Sequence, residues 1–318
     1  MKILITPRSF ASITAEPLEM LEREGYELIL NETGERYSEE QLIDLITEVR
    51  GVIVGTDPLN SRVLSQAEDL KIISKYGVGT DNIDLDYAAA NNIAVTNTPE
   101  ANSSSVAELV IAAIFTLARK IVKADQKTKA GYRGKIIGNL VRDKRLGVIG
   151  LGKIGRNAAL AARGLGMEVL AHDIHRDQEF AREHGIEYVG LSSLITSSDF
   201  ITCHVPLNSK TKDLLSKEEF SQMKNSVYLI NTSREGILNE EDLIDSLLAG
   251  QIAGCALDVF GEKVIRAIKE NPELEERIIL SPHMGAHTEE AITRMGVESA
   301  QNIGLLINLY QVTDYKKF

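Results

Sequence analysis

Three glycines, Gly150, Gly152 and Gly155, stand in the run GLGKIG, directly after the apolar run RLGVI and directly before the helical pattern GRNAALAARGLG. Glycines in this setting permit a tight turn, close approach of the backbone to a phosphate, and close packing of a helix on a strand. The helix N-terminus offers its N–H groups to the phosphate charge. The run therefore predicts a pyrophosphate site, with Lys153 and Ile154 in the same loop. Asp173 closes the next apolar run, EVLAHD, where a carboxylate can bond the adenosine ribose hydroxyls and repel a 2′-phosphate. Together these features read as a site for NAD in preference to NADP. His175 and Arg176, close behind, are the residues that would soften that preference.

The elements that must position this site follow from a rhythm that runs along the chain. Short apolar runs KILIT, YELIL, GVIVG, LKIIS and IAVTN alternate with helical patterns such as SEEQLIDLITEV. A second series runs through RLGVIG, EVLAHD, DFITCHV, SVYLINT, IAGCALDVF and RIILSPH. Repeated strand and helix units of this kind predict an α/β protein with two doubly wound parallel sheets, and near-continuous apolar strands fit sheets covered on both faces. NTPEAN, residues 97–102, marks a crossover into a helix from Ser103 to about Lys120. A second crossover falls near 282–288, after which a helical pattern over about 289–309 returns to the first sheet. The expected division is a discontinuous domain of residues 1–100 and 287–318, into which residues 101–286 are inserted. The helix over 103–120 is apolar on nearly every side, which predicts that part of it packs on a second copy in a homodimer.

Composition narrows the class. With 318 residues, 43% hydrophobic and 25% charged, the chain reads as a globular protein of two domains. Its 35 basic and 46 acidic residues leave a net charge of −11, which disfavours nucleic acid and anionic membranes as partners. The longest apolar stretch, Val106 to Ala118, is interrupted by Glu108 and Thr116 and is shorter than the roughly 20 residues that span a bilayer. The opening MKILITPRSF holds too short an apolar run for a signal peptide, so a cytoplasmic location is expected. Cys203 and Cys255 lie far apart inside apolar runs, as buried hydrophobes do, and no metal site is expected.

Beyond the glycine run, an ordered set of motifs spans the chain: KYGVGTDNID (75–84), NTPEANSSSVAEL (97–109), HVPLNSKT (204–211), INTSREGILNEEDL (230–243), ALDVF (256–260) and SPHMGAHTEEA (281–291). In these motifs the chain resembles the D-isomer-specific 2-hydroxyacid dehydrogenases. The resemblance implies a Rossmann NAD-binding domain inserted into a discontinuous, flavodoxin-like substrate domain, with the active site in the cleft between them. It implies hydride transfer between nicotinamide and C2 of a small D-2-hydroxy or 2-keto acid. By position, Arg234 is implied to hold the substrate carboxylate, a task suited to a planar guanidinium. His283 is implied as the acid and base, apt for a group with a free pKa of roughly 6.5. Lys75, Val78 and Gly79 are implied to bind substrate. Asp258, His204, Val205, Pro206, Thr211, Thr232, Ser233, His283 and Gly285 are implied to line the cofactor cleft. His287 and His172 are weaker candidates.

Two positions depart from the family pattern. The catalytic glutamate usual there would fall at Lys263, one place after Glu262. Either Glu262 reaches His283 in its stead, which is the favoured alternative, or the His–Glu pair is lost; a lysine beside the histidine would disfavour its protonated form. Glu235 stands where a glycine is usual after the arginine. Lys263 also keeps open a competing function, a non-catalytic NAD(H)-sensing protein on the same fold, similar to the corepressors related to this family. Among substrates, 3-phosphoglycerate, hydroxypyruvate and glyoxylate compete: a phosphate needs extra cations, and Lys75 is the evident one, while Gly55 stands where a basic residue is often found. No C-terminal regulatory extension is evident, so feedback through such a domain is not expected.

Overall fold

The computed structural model describes the backbone of residues 1–314 and the side chains of residues 1–305. The chain divides into two compact units, Met1–Asn102 with the segment from Ala286 onward, and Ser103–Gly285. Residues 315–318 of the discontinuous domain expected from the sequence lie outside the described residues.

In the first unit, strands β1 (Lys2–Ile5), β2 (Glu27–Leu30), β3 (Val49–Val54), β4 (Ile72–Lys75) and β5 (Ala94–Thr96) form a parallel sheet in the order β2-β1-β3-β4-β5, a doubly wound arrangement. Alternation of side chains along each strand feeds two cores. Leu4, Val52, Val54 and Ile73 face one side, and Ile3, Ile5, Ile53 and Ile72 the other. The second side is covered in part by the returning helix Glu289–Asp314, through Met295, Ala300 and Ile303. The pattern SEEQLIDLI becomes the helix Glu39–Ile46, started by a capping box in which the Ser38 hydroxyl accepts from Gln41 N–H and the Gln41 side chain accepts from Ser38 N–H.

In the second unit, β6 (Arg145–Ile149), β7 (Glu168–His172), β8 (Ile186–Tyr188), β9 (Phe200–Cys203), β10 (Tyr228–Asn231), β11 (Gly254–Leu257) and β12 (Ile278–Leu280) form a parallel sheet in the order β12-β11-β10-β9-β6-β7-β8. Strand order reverses between β6 and β9, the place where doubly wound sheets bind ligands beyond the C-terminal ends of their strands. Two cores again flank the sheet: Ile149, Ile201, Leu229 and Leu257 on one face, Leu146, Val148, Phe200 and Ile230 on the other. β8 is the strand that the apolar pattern does not announce. It has three residues, of which only Ile186 is buried, too few to show alternation. The helix expected from Ser103 runs to Arg119, packs through Val110, Ile114, Leu117 and Ala118, and ends at Lys120, whose left-handed backbone (φ 54°) separates it from the helix Ile121–Lys129.

Phe220, on the helix Lys217–Gln222, is fully buried in the core on the Ile149 face. Phe220→Ala should lower the stability of this unit by about 3 to 5 kcal/mol in denaturant titration. A loss below about 1 kcal/mol would mean that the neighbouring side chains close over the gap without strain.

Candidate active site

The glycine run sits at the strand-order reversal, between β6 and the helix Lys153–Gly164. Gly150 takes a left-handed backbone (φ 94°), and a Cβ there would lie 2.9 Å from the His204 carbonyl. A Cβ on Gly155 would stand 2.1 Å from the Gly150 carbonyl oxygen. Both positions therefore demand glycine. At Gly152 a Cβ would meet nothing within 4 Å, so the space above this residue is open to a ligand. Gly152 begins the helix with no side-chain cap, which leaves N–H groups of its first turn for an anion. Asp173, one residue beyond β7, is held in place by two backbone donors: Leu151 N–H to Oδ2 (2.7 Å) and His175 N–H to Oδ1 (2.8 Å). The first of these donors belongs to the glycine loop itself, so the loop and the carboxylate form one preorganised unit.

On the other side of the reversal, His204 follows β9 and Thr232 follows β10, neighbouring strands in register. Val205 packs over the glycine loop, its Cγ1 3.0 Å from where a Gly150 Cβ would be. Pro206 and Thr211 belong to the turn beyond, closed by the Thr211 hydroxyl donating to the Pro206 carbonyl (2.6 Å). His204 Nε2 bonds Thr202 Oγ1 at 3.0 Å, and burial pushes its imidazole down to about 4. His204 Nδ1 and Thr232 Oγ1 are buried polar atoms without a hydrogen-bond partner. Such atoms are costly unless a ligand or water completes them. With the open space over Gly152 and the uncapped helix, these residues fit a dinucleotide: the glycine loop for its pyrophosphate, Asp173 for a ribose.

The chemistry-bearing residues of this unit gather on the same edge, beyond β10, β11 and β12. Arg234 sits in the turn after β10, its Nη1 bonded to Ser233 O at 2.7 Å. Asn231 shapes that turn: its Oδ1 accepts from Ser233 N–H (3.0 Å) and Ser233 Oγ (2.7 Å), and its Nδ2 donates to Arg234 O (2.9 Å). Asp258, beyond β11 and 3% exposed, has both oxygens taken by the loop that follows β12. Oδ1 accepts from Ser281 Oγ (2.5 Å) and Met284 N–H (2.9 Å), and Oδ2 from Gly285 N–H (2.9 Å). Ser105 Oγ adds a bond to Gly285 O at 2.7 Å. Within this clamp His283 adopts a left-handed backbone, φ 53°, uncommon for a residue with a side chain. Asp258, expected to line the cofactor cleft, is thus also the residue that shapes the His283 loop.

Glu262 is exposed as the first residue of the helix Glu262–Glu270, and no hydrogen bond or ion pair of Glu262 occurs among the described residues. The expected bond to His283 is therefore not made in this structure; a carboxylate at a helix start is stabilised by the positive helix end and by water without a partner. Lys263 is exposed and paired with Glu241 at 2.5 Å. Burial raises the Glu240 carboxyl above its ordinary range and nearby Glu235 pushes the same way, against the Gly261 N–H bond and Lys263.

In the first unit, the loop after β4 carries Val78 and Gly79. Gly77 takes φ 120° and exchanges bonds with Thr98: Gly77 N–H to Thr98 Oγ1 (2.9 Å) and Thr98 N–H to Gly77 O (3.0 Å). Asn97 Nδ2 donates to Val78 O at 2.8 Å, which turns the Gly79 N–H of the same planar peptide the opposite way. Lys75, 6% exposed, donates to Gly55 O and to Asn82 Oδ1 (3.1 Å), and Asn82 in turn donates to Asp57 O (2.6 Å). Its ammonium is engaged in holding this loop, a use that sequence position did not reveal. Asn231, Asn82, Ser281 and Ser105 are the residues the sequence did not single out. For Asn231, Ser281 and Ser105 the one signal is a polar side chain at or just past the end of an apolar strand or at the start of a helix; Asn82 lies mid-loop and carries no such signal.

Because His204 is buried neutral, its folded pKa lies below the roughly 6.5 of an unfolded chain. Above pH 6.5 both states are neutral. As pH falls from 6.5 toward 4, the unfolded chain takes up a proton that the folded one refuses, and stability drops by up to about 1.4 kcal/mol per pH unit. His204→Gln lacks this titration, so the wild-type stability advantage over the variant should shrink from pH 7 to pH 4.5 in paired thermal melts. A constant gap would show that the folded protein protonates His204 freely.

Residues 111–285 match the family model described as D-isomer specific 2-hydroxyacid dehydrogenase, NAD binding domain. The chain is 38% identical over 271 residues to D-3-phosphoglycerate dehydrogenase of Synechocystis sp., covering 84% of this chain and 48% of that protein; it thus spans about half the length of that relative. It is 34% identical over 288 residues to glyoxylate reductase of Korarchaeum cryptofilum, covering 88% of this chain and 86% of the relative. Among solved structures, D-lactate dehydrogenase from Aquifex aeolicus, complexed with NAD and lactic acid, is similar with a TM-score of 0.82 at 27% identity, over 98% of each chain. The family model covers more than half of the chain, and the glyoxylate reductase relative is 34% identical over 88% of it: the chain belongs to the D-isomer specific 2-hydroxyacid dehydrogenases.

Proposed function

We propose that the protein is an NAD-dependent dehydrogenase that interconverts a small D-2-hydroxy acid and its 2-keto acid. The observation that carries this is the placement, on one edge of one parallel sheet, of the glycine loop with its Asp173 partner and of the loops bearing Arg234 and His283. The similar proteins named for phosphoglycerate, glyoxylate, hydroxypyruvate and lactate support a 2-keto acid as the substrate class. The glycine loop and Asp173 would hold a nicotinamide dinucleotide, which when bound would supply or accept the hydride. Arg234 binds the substrate carboxylate through two parallel bonds and so orients the keto carbon. In reduction, His283 gives a proton to the substrate oxygen; in oxidation, the neutral imidazole takes it back.

The competing reading, a non-catalytic NAD(H)-sensing protein, has no support among the similar proteins, which are named as dehydrogenases and reductases. We also propose a homodimer through the region of the helix Ser103–Arg119. Its support is the exposed apolar side chains that follow this helix in sequence, Ile121, Val122, Tyr132, Ile137 and Leu140. A cytoplasmic setting is supported by two buried free cysteines, and no helix among the described residues is long and apolar enough to cross a membrane.

Turnover of NADH with glyoxylate, hydroxypyruvate, pyruvate and 3-phosphohydroxypyruvate tests the activity directly; tight NADH binding with no turnover on any of them would overturn it. Arg234→Ala should lower kcat/KM for the keto acid used by about 10² to 10⁴ fold with NADH affinity little changed. Asp173→Ala should raise KM for NADH and narrow its advantage over NADPH, because the ribose bonds and the repulsion of a 2′-phosphate disappear together. An unchanged ratio of the two cofactors would assign the preference to another residue.

A further inference from the structure

Asn231 is the last residue of β10 and is 2% exposed. Each end of its amide has a separate use. The oxygen accepts from Ser233 N–H and Oγ, and the nitrogen donates to the Arg234 carbonyl at 2.9 Å. Its own carbonyl accepts from Asp258 N–H at 2.9 Å, which ties this strand end to the residue that clamps the His283 loop. Arg234 Nη1 folds back on Ser233 O, so the guanidinium leans on a turn whose shape Asn231 sets.

We propose that Asn231 is a positioning residue for Arg234: its amide fixes the backbone of the 231–234 turn and so holds the guanidinium where it meets the substrate carboxylate. This rests on the assignment of Arg234 as the carboxylate-binding residue. The amide is needed because the site requires one acceptor end and one donor end in a single short side chain. An aspartate has the same shape and two acceptor ends, so its second oxygen would face the Arg234 carbonyl and push the turn open.

The test uses oxamate, a carboxylate mimic of a 2-keto acid, titrated into the NADH-loaded protein, with NADH affinity measured separately by fluorescence. Arg234→Ala serves as the reference, and Asn231→Asp and Asn231→Ala as the variants; the alanine carries the test if a buried charge prevents the aspartate variant from folding. The expected result is a loss of oxamate affinity of about 100-fold for Arg234→Ala and roughly 10 to 100-fold for the Asn231 variants, with NADH affinity within about threefold of wild type. Oxamate affinity retained in both Asn231 variants but lost in Arg234→Ala would overturn the positioning role. So would a parallel loss of NADH and oxamate binding, which marks general damage to the sheet edge. Oxamate affinity retained in Arg234→Ala itself would overturn the assignment of the arginine, and the positioning role with it.

Discussion

A carboxylate that is almost wholly buried must be surrounded by donors or it destabilises the fold, and Asp258 meets this requirement with Ser281 Oγ and the N–H groups of Met284 and Gly285. Those three donors lie on either side of His283. The need to satisfy one buried charge thereby fixes the shape of the loop that carries His283, the proposed acid and base. It also supports a left-handed backbone at His283 that local preference alone would not choose.

The same logic recurs along the C-terminal edge of the sheet. Parallel strands leave their ends at one edge, and the loops that follow have no ladder to bond. In each loop a short polar side chain takes over: Asp173 captures Leu151 N–H in the glycine loop, Asn231 captures the Arg234 turn, and Asp258 captures the His283 loop. Loops held in this way suit the orientation that the proposed hydride transfer to a keto carbon requires. In the first unit, Lys75 and Asn82 brace the loop after β4 by the same means.

The departures from the family pattern form a group in space. The Glu235 carboxylate lies where a side chain on residue 261 would begin, 2.6 Å from that Cβ position, so a glycine at 261 accommodates a glutamate at 235. Glu240 bonds the Gly261 N–H, and Glu241 pairs with Lys263. The lysine at 263 is thus matched by acids on the neighbouring helix Glu240–Leu248, and its charge is neutralised there.

Sequence alone was sufficient for what depends on local periodicity and on residue type. The two series of apolar runs reported two parallel sheets, because alternating burial on both faces leaves near-continuous apolar strands. The glycines at 150 and 155 reported a turn that no other residue can make, whereas the bond from Leu151 N–H to Asp173 that ties this turn to the next strand end emerged only from the structure. Strand β8 escaped because three residues with one buried side chain carry no period. The exposure of Glu262 and the partners of Lys75 and Asp258 were decided by tertiary structure alone. Whether a side chain reaches a histidine or a loop carbonyl depends on the distance between segments that are 20 to 180 residues apart in sequence, such as Lys75 and Gly55 or Ser105 and Gly285, and no spacing within a motif encodes that distance.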